Sequence, residues 1–145
     1  MSKDNKYDSL KLKNQLCFPL YACAKEIVKK YKPYLDEIDL TYTQYITMMV
    51  LWEEKEINVK ELGKKLYLDS GTLTPLLKKL EKKGYLTRSR SKLDERVLLI
   101  EITKEGEELR DKALSVPEKM VSCIRLEKEE SLELYRILQN ILSNM

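Results

Sequence analysis

The chain has 145 residues, enough for one domain with a substantial core and too few for two large ones. Apolar residues make up 43% and charged residues 35%, with only four glycines and four prolines, so the composition argues against disorder and favours a largely helical protein. Histidine is absent, and the cysteines Cys17, Cys23 and Cys123 lack CxxC spacing, so neither a metal site nor a cofactor is expected.

The sequence predicts neither a membrane span nor a secretory signal. The longest uncharged apolar stretch, 16–24, has nine residues and contains Pro19, whereas a spanning helix needs about 20. Residues 1–6 are not followed by the apolar segment that secretory signals carry. We therefore expect a cytoplasmic protein whose cysteines are free thiols.

Positive charge is concentrated in one part of the chain. The net charge is +3, but residues 59–102 hold eleven Lys and Arg against six Asp and Glu, a net +5, and the remainder carries −2. Clustered cations are typical of a surface that binds phosphates, although charged helix residues also serve simply as a solvated face.

Apolar periodicity predicts a long first helix. Apolar residues recur at intervals of three or four at Leu12, Leu16, Leu20, Cys23, Ile27 and Tyr31. This spacing predicts a helix over 9–31 with one apolar stripe. Lys32-Pro33 should end it, because the residue before a proline resists helical angles, and a short helical turn is expected over 33–38.

Capping signals predict the next helices. Capping-box spacings at 41–44 and 58–61 indicate helices over 41–52 and 59–66. Asp69 and Ser70, both good N-caps, open a further helix that runs to about Lys83, and Gly84 terminates it.

The rest of the chain predicts a hairpin and two more helices. Segments rich in β-formers, 85–90 and 96–102, flank a polar stretch and indicate a hairpin. A long helix is expected over 103–123, with a kink or break at Pro117, and a last amphipathic helix over 127–142.

This order of elements is that of a winged helix-turn-helix, so the expected fold is mainly α with a small β-hairpin, in one domain over 1–145. The DNA-binding lobe would cover 40–103. The helices over 9–38 and 104–145 carry more apolar surface than so small a lobe can cover, so we expect them to form a dimerisation domain. The expected partners are double-stranded DNA and a second copy of the chain.

The helix after the turn presents side chains suited to reading DNA. Hydroxyls and an apolar proline ring can contact base edges, and lysines can contact phosphates. The candidates are Ser70, Thr72, Thr74, Pro75, Lys78 and Lys79, followed by Lys82 and Lys83. The alternative for the hydroxyls is that they only cap the helix.

The predicted wing is rich in arginine. Arg88, Arg90 and Arg96 lie in the hairpin, and an arginine at a wing tip can enter a narrow minor groove. Asp94 can brace the Arg96 guanidinium through a charge-assisted hydrogen bond. A solvated turn is the competing interpretation.

Two sets of residues resemble known regulators. The segment from Leu68 to Lys78, with Asp94-Glu95-Arg96 in the wing, resembles MarR-type transcription regulators. A closer similarity, to the organic-hydroperoxide-resistance regulators (OhrR) and their thiol-sensing virulence-regulator relatives, rests on Asn14 to Phe18, Leu20 to Ala22, Tyr31 to Pro33 and Thr41-Tyr42. The similarity runs from about Leu12 to Pro117 and fades in the last helix.

The resemblance implies a homodimeric repressor that leaves its operator after an organic hydroperoxide oxidises Cys17, with Tyr31 and Tyr42 as the phenols that hydrogen-bond this thiol. Thiols react as thiolates, which hydroxyl donors stabilise. Tyr31 lies fourteen residues beyond Cys17, about 21 Å along a straight helix, so the phenol would have to come from the partner subunit. Without the resemblance, Cys17 would be interpreted as a buried small apolar residue.

The other two cysteines are assigned differently. Cys23 lies about 120° round the helix from Cys17 and is interpreted as structural. The two-cysteine OhrR proteins resemble this chain in having a second cysteine near the end of the fifth helix, which implies that Cys123 resolves the Cys17 sulfenic acid as an intersubunit disulfide. The alternative is that a small thiol caps Cys17 or that oxidation proceeds further.

Three other functions stay open at this point. A MarR-type regulator that responds to a ligand would leave Cys17 incidental. A thiol-dependent peroxidase would need a turnover route, for which the chain shows neither a thioredoxin-like CxxC nor a cofactor fold. A non-specific DNA-organising protein would bind any sequence. The favoured interpretation is a DNA-binding regulator that is not an enzyme.

Overall fold

A computed structural model describes residues 5–145. Residues 1–4, at the start of the segment in which the sequence predicts no secretory signal, lie outside the described range. Within that range, every helix is too short or too polar to cross a membrane.

Helix α1 covers Cys17–Asp36, so the predicted helix over 9–31 is wrong at both ends. Before α1 the chain forms two 3-10 turns, Asp8–Leu10 and Leu12–Asn14. The Gln15 side-chain amide donates to the carbonyls of Ser9, at 2.6 Å, and Lys11, at 3.0 Å. Such side-chain bonds give the backbone an alternative to helical pairing, and they delay the start of the helix.

At its other end α1 passes through Pro33 instead of stopping before it. The proline removes one helical hydrogen bond. The turn beyond it carries Leu35 and Ile38 into the core, where they are 1% and 8% exposed. Burial of these two side chains offsets the lost bond.

The three helices that follow α1 begin where the sequence predicts. Helix α2 covers Tyr42–Glu54, α3 covers Val59–Leu66 and α4 covers Ser70–Lys82. In each case a side-chain oxygen of the preceding residue, Thr41, Asn58 or Asp69, accepts a backbone amide hydrogen from the residue three positions further on. The N-capping predictions are confirmed, with Asp69 rather than Ser70 as the cap of α4.

A three-stranded antiparallel sheet, in the order β1-β3-β2, replaces the predicted two-stranded hairpin. Strands β2 (Leu86–Arg90) and β3 (Leu98–Ile102) form the hairpin, and β1 (Glu56–Asn58) adds to its other edge. The sequence does not predict β1, because its one apolar residue, Ile57, is buried only through its pairing with Ile100.

Three helices follow the sheet where the sequence predicts two. Helix α5 covers Lys104–Ala113, α6 covers Ser115–Cys123 and α7 covers Lys128–Ser143. The break falls at Leu114 and not at Pro117. Pro117 lies in the first turn of α6 and lacks the amide hydrogen that the Ala113 carbonyl would need to continue α5.

One hydrophobic core contains side chains from the middle of the chain and from the helix after the sheet. Side chains from α2, α3, α4, β3 and α5 pack together, and the fully buried ones include Met48, Leu51, Leu62, Leu80 and Ile100. Helices α1 and α6 pack against each other beside it. Helix α7 differs, since none of its residues is buried.

Substitution of Gly106 should strongly destabilise the fold. A Cβ at this position would overlap the Tyr85 carbonyl and lie 2.8 Å from Ile102 Cγ1, while the Gly106 carbonyl accepts the Trp52 indole hydrogen at 2.8 Å. We expect Gly106→Ala to lower the free energy of unfolding by about 3 kcal/mol in urea titrations. Gly71→Ala is the matched control, because its Cβ would meet only Asp69 Oδ1 at 3.4 Å. Equal unfolding midpoints would contradict the close approach.

Candidate nucleic-acid interface and thiol site

Helix α4 separates a buried side from an exposed one. Leu73, Leu76, Leu77 and Leu80 are buried. The predicted DNA-reading residues are all exposed, namely Ser70, Thr72, Thr74, Pro75, Lys78 and Lys79. Hydrogen bonds from the Thr72 backbone amide and then from its hydroxyl hold the pKa of Asp69 below its ordinary value, so this carboxylate stays charged at the helix start.

The hydroxyl groups of α4 differ in whether they are hydrogen-bonded within the helix. The Thr74 hydroxyl donates to the Ser70 carbonyl at 2.8 Å and is turned onto its own helix. Asp69 takes the capping role, so the side chains of Ser70 and Thr72 are not required for it. Contacts of these residues with DNA stay predictions.

The wing holds one arginine in a defined orientation. Asp94 accepts the Arg96 backbone amide at 3.0 Å and its guanidinium at 3.1 and 3.3 Å. Arg96 is nevertheless 92% exposed. These bonds keep the pKa of Asp94 below its ordinary value. The structure thus brings the predicted pair together and leaves the arginine accessible to a ligand.

Arg88 is engaged within the protein. Glu81 of α4 accepts its backbone amide at 3.0 Å and its guanidinium at 3.0 and 3.2 Å. The side-chain hydrogen bond from Arg88 lowers the pKa of Glu81. Glu81 is not among the residues predicted from the sequence. Its contacts make Arg88 a link between α4 and β2, while Arg90, at the end of β2, is exposed.

A groove of about 970 Å³ separates α3 and the start of α4 from the base of the wing. Its walls include Lys60, Lys64 and Arg96, with Leu73 and Leu98 between them. The groove therefore places cationic side chains on both sides of the space between recognition helix and wing.

The candidate thiol site is divided within one chain. Cys17 is the first residue of α1 and is exposed. Tyr31 lies fourteen residues further along the same helix, about 21 Å away, and its ring centroid is 5.0 Å from that of Tyr42. The structure brings the two phenols together and places Cys17 of the same chain out of their reach.

The phenols belong to an aromatic cluster that enters the core. Tyr45 lies 5.9 Å from Tyr31 and 6.5 Å from Tyr42, and its ring contacts Trp52 at 6.4 Å. Burial raises the pKa of Tyr31 and of Tyr45, so both phenols remain protonated hydrogen-bond donors at neutral pH.

Cys123 contacts a different tyrosine, Tyr34, within the same chain. It is the last residue of α6, is half-buried, and its Sγ lies 3.4 Å from the Tyr34 hydroxyl on α1. This hydrogen bond raises the pKa of Tyr34. Lys119 covers the Tyr34 ring at 5.4 Å and pairs with Glu37 at 3.3 Å. Tyr34 is not among the residues predicted from the sequence. Its position three residues after Tyr31, on the same side of a helix, was the available signal.

Cys23 is exposed on α1 and is also a free thiol. In the part of the chain that the structure describes, we find no group of three or more acidic or cysteine side chains arranged to hold a metal ion.

An exposed polar recognition helix followed by an arginine-bearing wing defines a winged helix-turn-helix transcription regulator. Residues 29–113 match the family model described as transcriptional regulator SarA/Rot. The organic hydroperoxide resistance transcriptional regulator of Bacillus subtilis is 44% identical over 142 residues, which cover 98% of this chain and 97% of the relative. SarZ of Staphylococcus saprophyticus is 46% identical over 91% of this chain and 90% of its own length.

Solved structures give the same result. Reduced AbfR bound to DNA superposes with a TM-score of 0.79 at 33% identity, covering 97% of this chain and 96% of AbfR. AbfR is a Staphylococcus epidermidis protein that has also been solved in a disulfide form, with a TM-score of 0.64 at 34% identity over 94% of this chain and 96% of that one. The chain belongs to the MarR family of DNA-binding transcription regulators, in the branch that contains the OhrR-type regulators and SarZ.

Proposed function

We propose that this regulator is a homodimeric repressor that leaves its operator when an organic hydroperoxide oxidises Cys17. The observation that carries the proposal is the divided thiol site. One chain holds an exposed thiol at the start of α1 and a pair of phenols about 21 Å away. A second copy, related by two-fold symmetry, would supply Tyr31 and Tyr42 to each Cys17.

Exposed apolar side chains support the dimer. They lie on three helices at the two ends of the chain, as Phe18, Leu20, Tyr21 and Val28 of α1, Val121 of α6, and Leu132, Leu134, Tyr135, Ile137 and Ile141 of α7. A helix of sixteen residues that buries none of them has little stability in water on its own. Packing against a second copy covers this surface.

The oxidation step follows ordinary thiol chemistry. The Cys17 thiolate attacks the outer oxygen of the hydroperoxide, the O–O bond breaks, and an alcohol leaves with the proton that the thiol gave up. Cys17 becomes a sulfenic acid and two electrons pass to the peroxide. Phenolic hydroxyls beside the sulfur would stabilise the thiolate before the attack.

Cys123 of the partner subunit is proposed to complete the switch. Its sulfur attacks the sulfenic sulfur of Cys17, the S–O bond breaks, and the oxygen leaves as water with the Cys123 proton. In the reduced protein the Cys123 thiol is hydrogen-bonded to the Tyr34 hydroxyl on α1. Disulfide formation therefore requires Cys123 to break this contact and move away from α1. The extended residue Ile124, directly after α6, allows this without unwinding a helix interior.

Operator affinity before and after oxidation tests the proposal. We expect reduced protein to bind a near-palindromic operator and to lose most of that affinity after one equivalent of cumene hydroperoxide per subunit, with recovery after dithiothreitol. Unchanged affinity would contradict the redox function. Release by a phenolic ligand instead would identify a ligand-responsive regulator, and sustained peroxide consumption with excess dithiol would identify a peroxidase.

Arg96 should contribute strongly to operator binding. Its guanidinium is exposed but held by Asp94, so little side-chain freedom is lost on entering a minor groove. We expect Arg96→Ala to weaken specific operator binding roughly tenfold or more in a fluorescence anisotropy titration.

Lys92→Ala is the matched control for Arg96, because it removes an equally charged and exposed residue of the same wing. It should weaken binding by only about threefold, the effect of general electrostatic attraction. Equal losses in the two variants would remove the specific role of Arg96.

A further inference from the structure

Lys83, the residue directly after α4, is bound within the protein, whereas Lys78, Lys79 and Lys82 of α4 are exposed. Its side chain is only 27% exposed. The ammonium donates to the backbone carbonyl of Asp39, lies 3.3 Å from the Asp39 carboxylate, and is 3.5 Å from the Gln44 side-chain oxygen. Lys83 therefore joins the end of α4 to the corner between α1 and α2.

The corner that receives Lys83 has a defined shape. Asp39 has a positive φ of 52°, and the turn places its carbonyl toward α4. Gln44 is 4% exposed, and the oxygen that faces Lys83 also accepts the Thr41 amide in the α2 capping box. The ammonium therefore donates hydrogen bonds to the Asp39 carbonyl and the Gln44 side-chain oxygen, and the Asp39 carboxylate adds an ion pair.

The position of Lys83 on α4 differs from that of a phosphate contact. Lys78 and Lys82 are exposed and share one side of the helix with Pro75. Lys83 is rotated about 140° from Lys78. The Lys83 ammonium faces the protein at this angle and already has intramolecular partners in the absence of DNA.

We propose that Lys83 is a positioning residue that sets the recognition helix against the corner between α1 and α2, rather than a contact to DNA. The corner is continuous with the phenol cluster, because Tyr42 directly follows Thr41 and precedes Gln44 by two residues. Movement of the α2 start therefore passes to α4 through Lys83. This second statement rests on the proposed thiol switch, whereas the positioning of α4 does not.

Salt dependence separates a positioning lysine from a phosphate contact. Lys83→Met removes the ammonium and keeps the apolar stem, and Lys78→Met is the matched control on the exposed side. A lost phosphate contact reduces the slope of log affinity against log salt by about 0.9 per site, or about 1.8 per dimer. We expect reduced Lys83→Met protein to bind the operator about threefold to tenfold more weakly than wild type, with an unchanged salt slope. Lys78→Met should lower the salt slope.

Either of two results would overturn the proposal for Lys83. The first is a slope reduced as in Lys78→Met, which identifies a phosphate contact, and the second is wild-type affinity at every salt concentration. Thermal unfolding checks that the variant is folded. If Lys83→Met does not fold, Lys83→Gln serves for the same measurements of affinity and salt slope. It also lacks the ammonium, and its shorter side chain cannot span the distance to Asp39.

Oxidation supplies a readout that a merely structural lysine would not change. In Lys83→Met the ratio of operator affinities between reduced and oxidised protein should shrink at least threefold, because α4 is no longer held by the corner. An unchanged ratio would contradict the coupling. If wild-type protein itself does not respond to peroxide, the thiol switch fails, and the salt slopes still decide the role of Lys83.

Discussion

Cys17→Ser protein should remain on its operator after a peroxide treatment that releases the wild type. A serine hydroxyl is close in size to the thiol but is not oxidised by hydroperoxides, so the variant preserves the reduced geometry and loses the reaction. We expect the reduced affinities of variant and wild type to agree within about threefold. After cumene hydroperoxide, the wild-type affinity should fall by roughly a hundredfold, an amount at the upper end of allosteric coupling.

Cys23→Ser is the control for Cys17→Ser. Cys23 is an exposed free thiol on the same helix, six residues further along, so it meets the same peroxide. Its substitution should leave the response intact. Equal loss of operator binding in wild type and Cys17→Ser would show that oxidation acts elsewhere, and a lost response in Cys23→Ser would move the sensing role to that cysteine.

In the proposed switch, the aromatic cluster provides a path from the phenols to the rest of the fold. Tyr31 and Tyr42 contact Tyr45, Tyr45 contacts Trp52, and the Trp52 indole is bonded to the Gly106 carbonyl at the start of α5. Cores at native density transmit small displacements because they contain few voids. A displacement of either phenol would therefore displace the core side chains that it contacts.

Local sequence signals predicted where α2, α3 and α4 begin. The N-caps of α2, α3 and α4 are short-range hydrogen bonds between residues three apart, which a sequence displays directly. The course of α1 could not be predicted in this way. Its continuation through Pro33 depends on the burial of Leu35 among side chains that are distant in sequence.

The contacts that the sequence did not predict have the same cause. Tyr34 and Cys123 are 89 positions apart, and Lys83 and Asp39 are 44 apart. Neither pair has a motif, and each is created by helix packing. The resemblance to known regulators named Tyr31 and Tyr42, whose rings the structure places 5.0 Å apart, and their hydrogen bond to Cys17 stays a prediction. It gave no reason to distinguish Lys83 from Lys78.

Oxidised wild-type protein should run as a covalent dimer in non-reducing electrophoresis, and Cys123→Ser should abolish that band. The geometry excludes the same disulfide within one chain. Cys123 contacts Tyr34, which lies seventeen residues beyond Cys17 on α1, about 25 Å along the helix. A disulfide requires Cα atoms within about 7 Å, so only Cys17 of another subunit can come within reach.

The resolving cysteine also determines whether the switch is reversible. Without Cys123, the Cys17 sulfenic acid is exposed to small thiols and to further peroxide, which leads to sulfinic acid that dithiothreitol does not reduce. We expect Cys123→Ser to lose operator binding at first contact with peroxide but to recover it poorly after excess peroxide and reductant. Cys23→Ser should retain both the dimer band and the recovery. A dimer band that survives in Cys123→Ser would show that the crosslink forms through Cys17 or Cys23 without Cys123. If oxidised wild type shows no band and gains one small-thiol mass per subunit, Cys17 is a one-cysteine sensor.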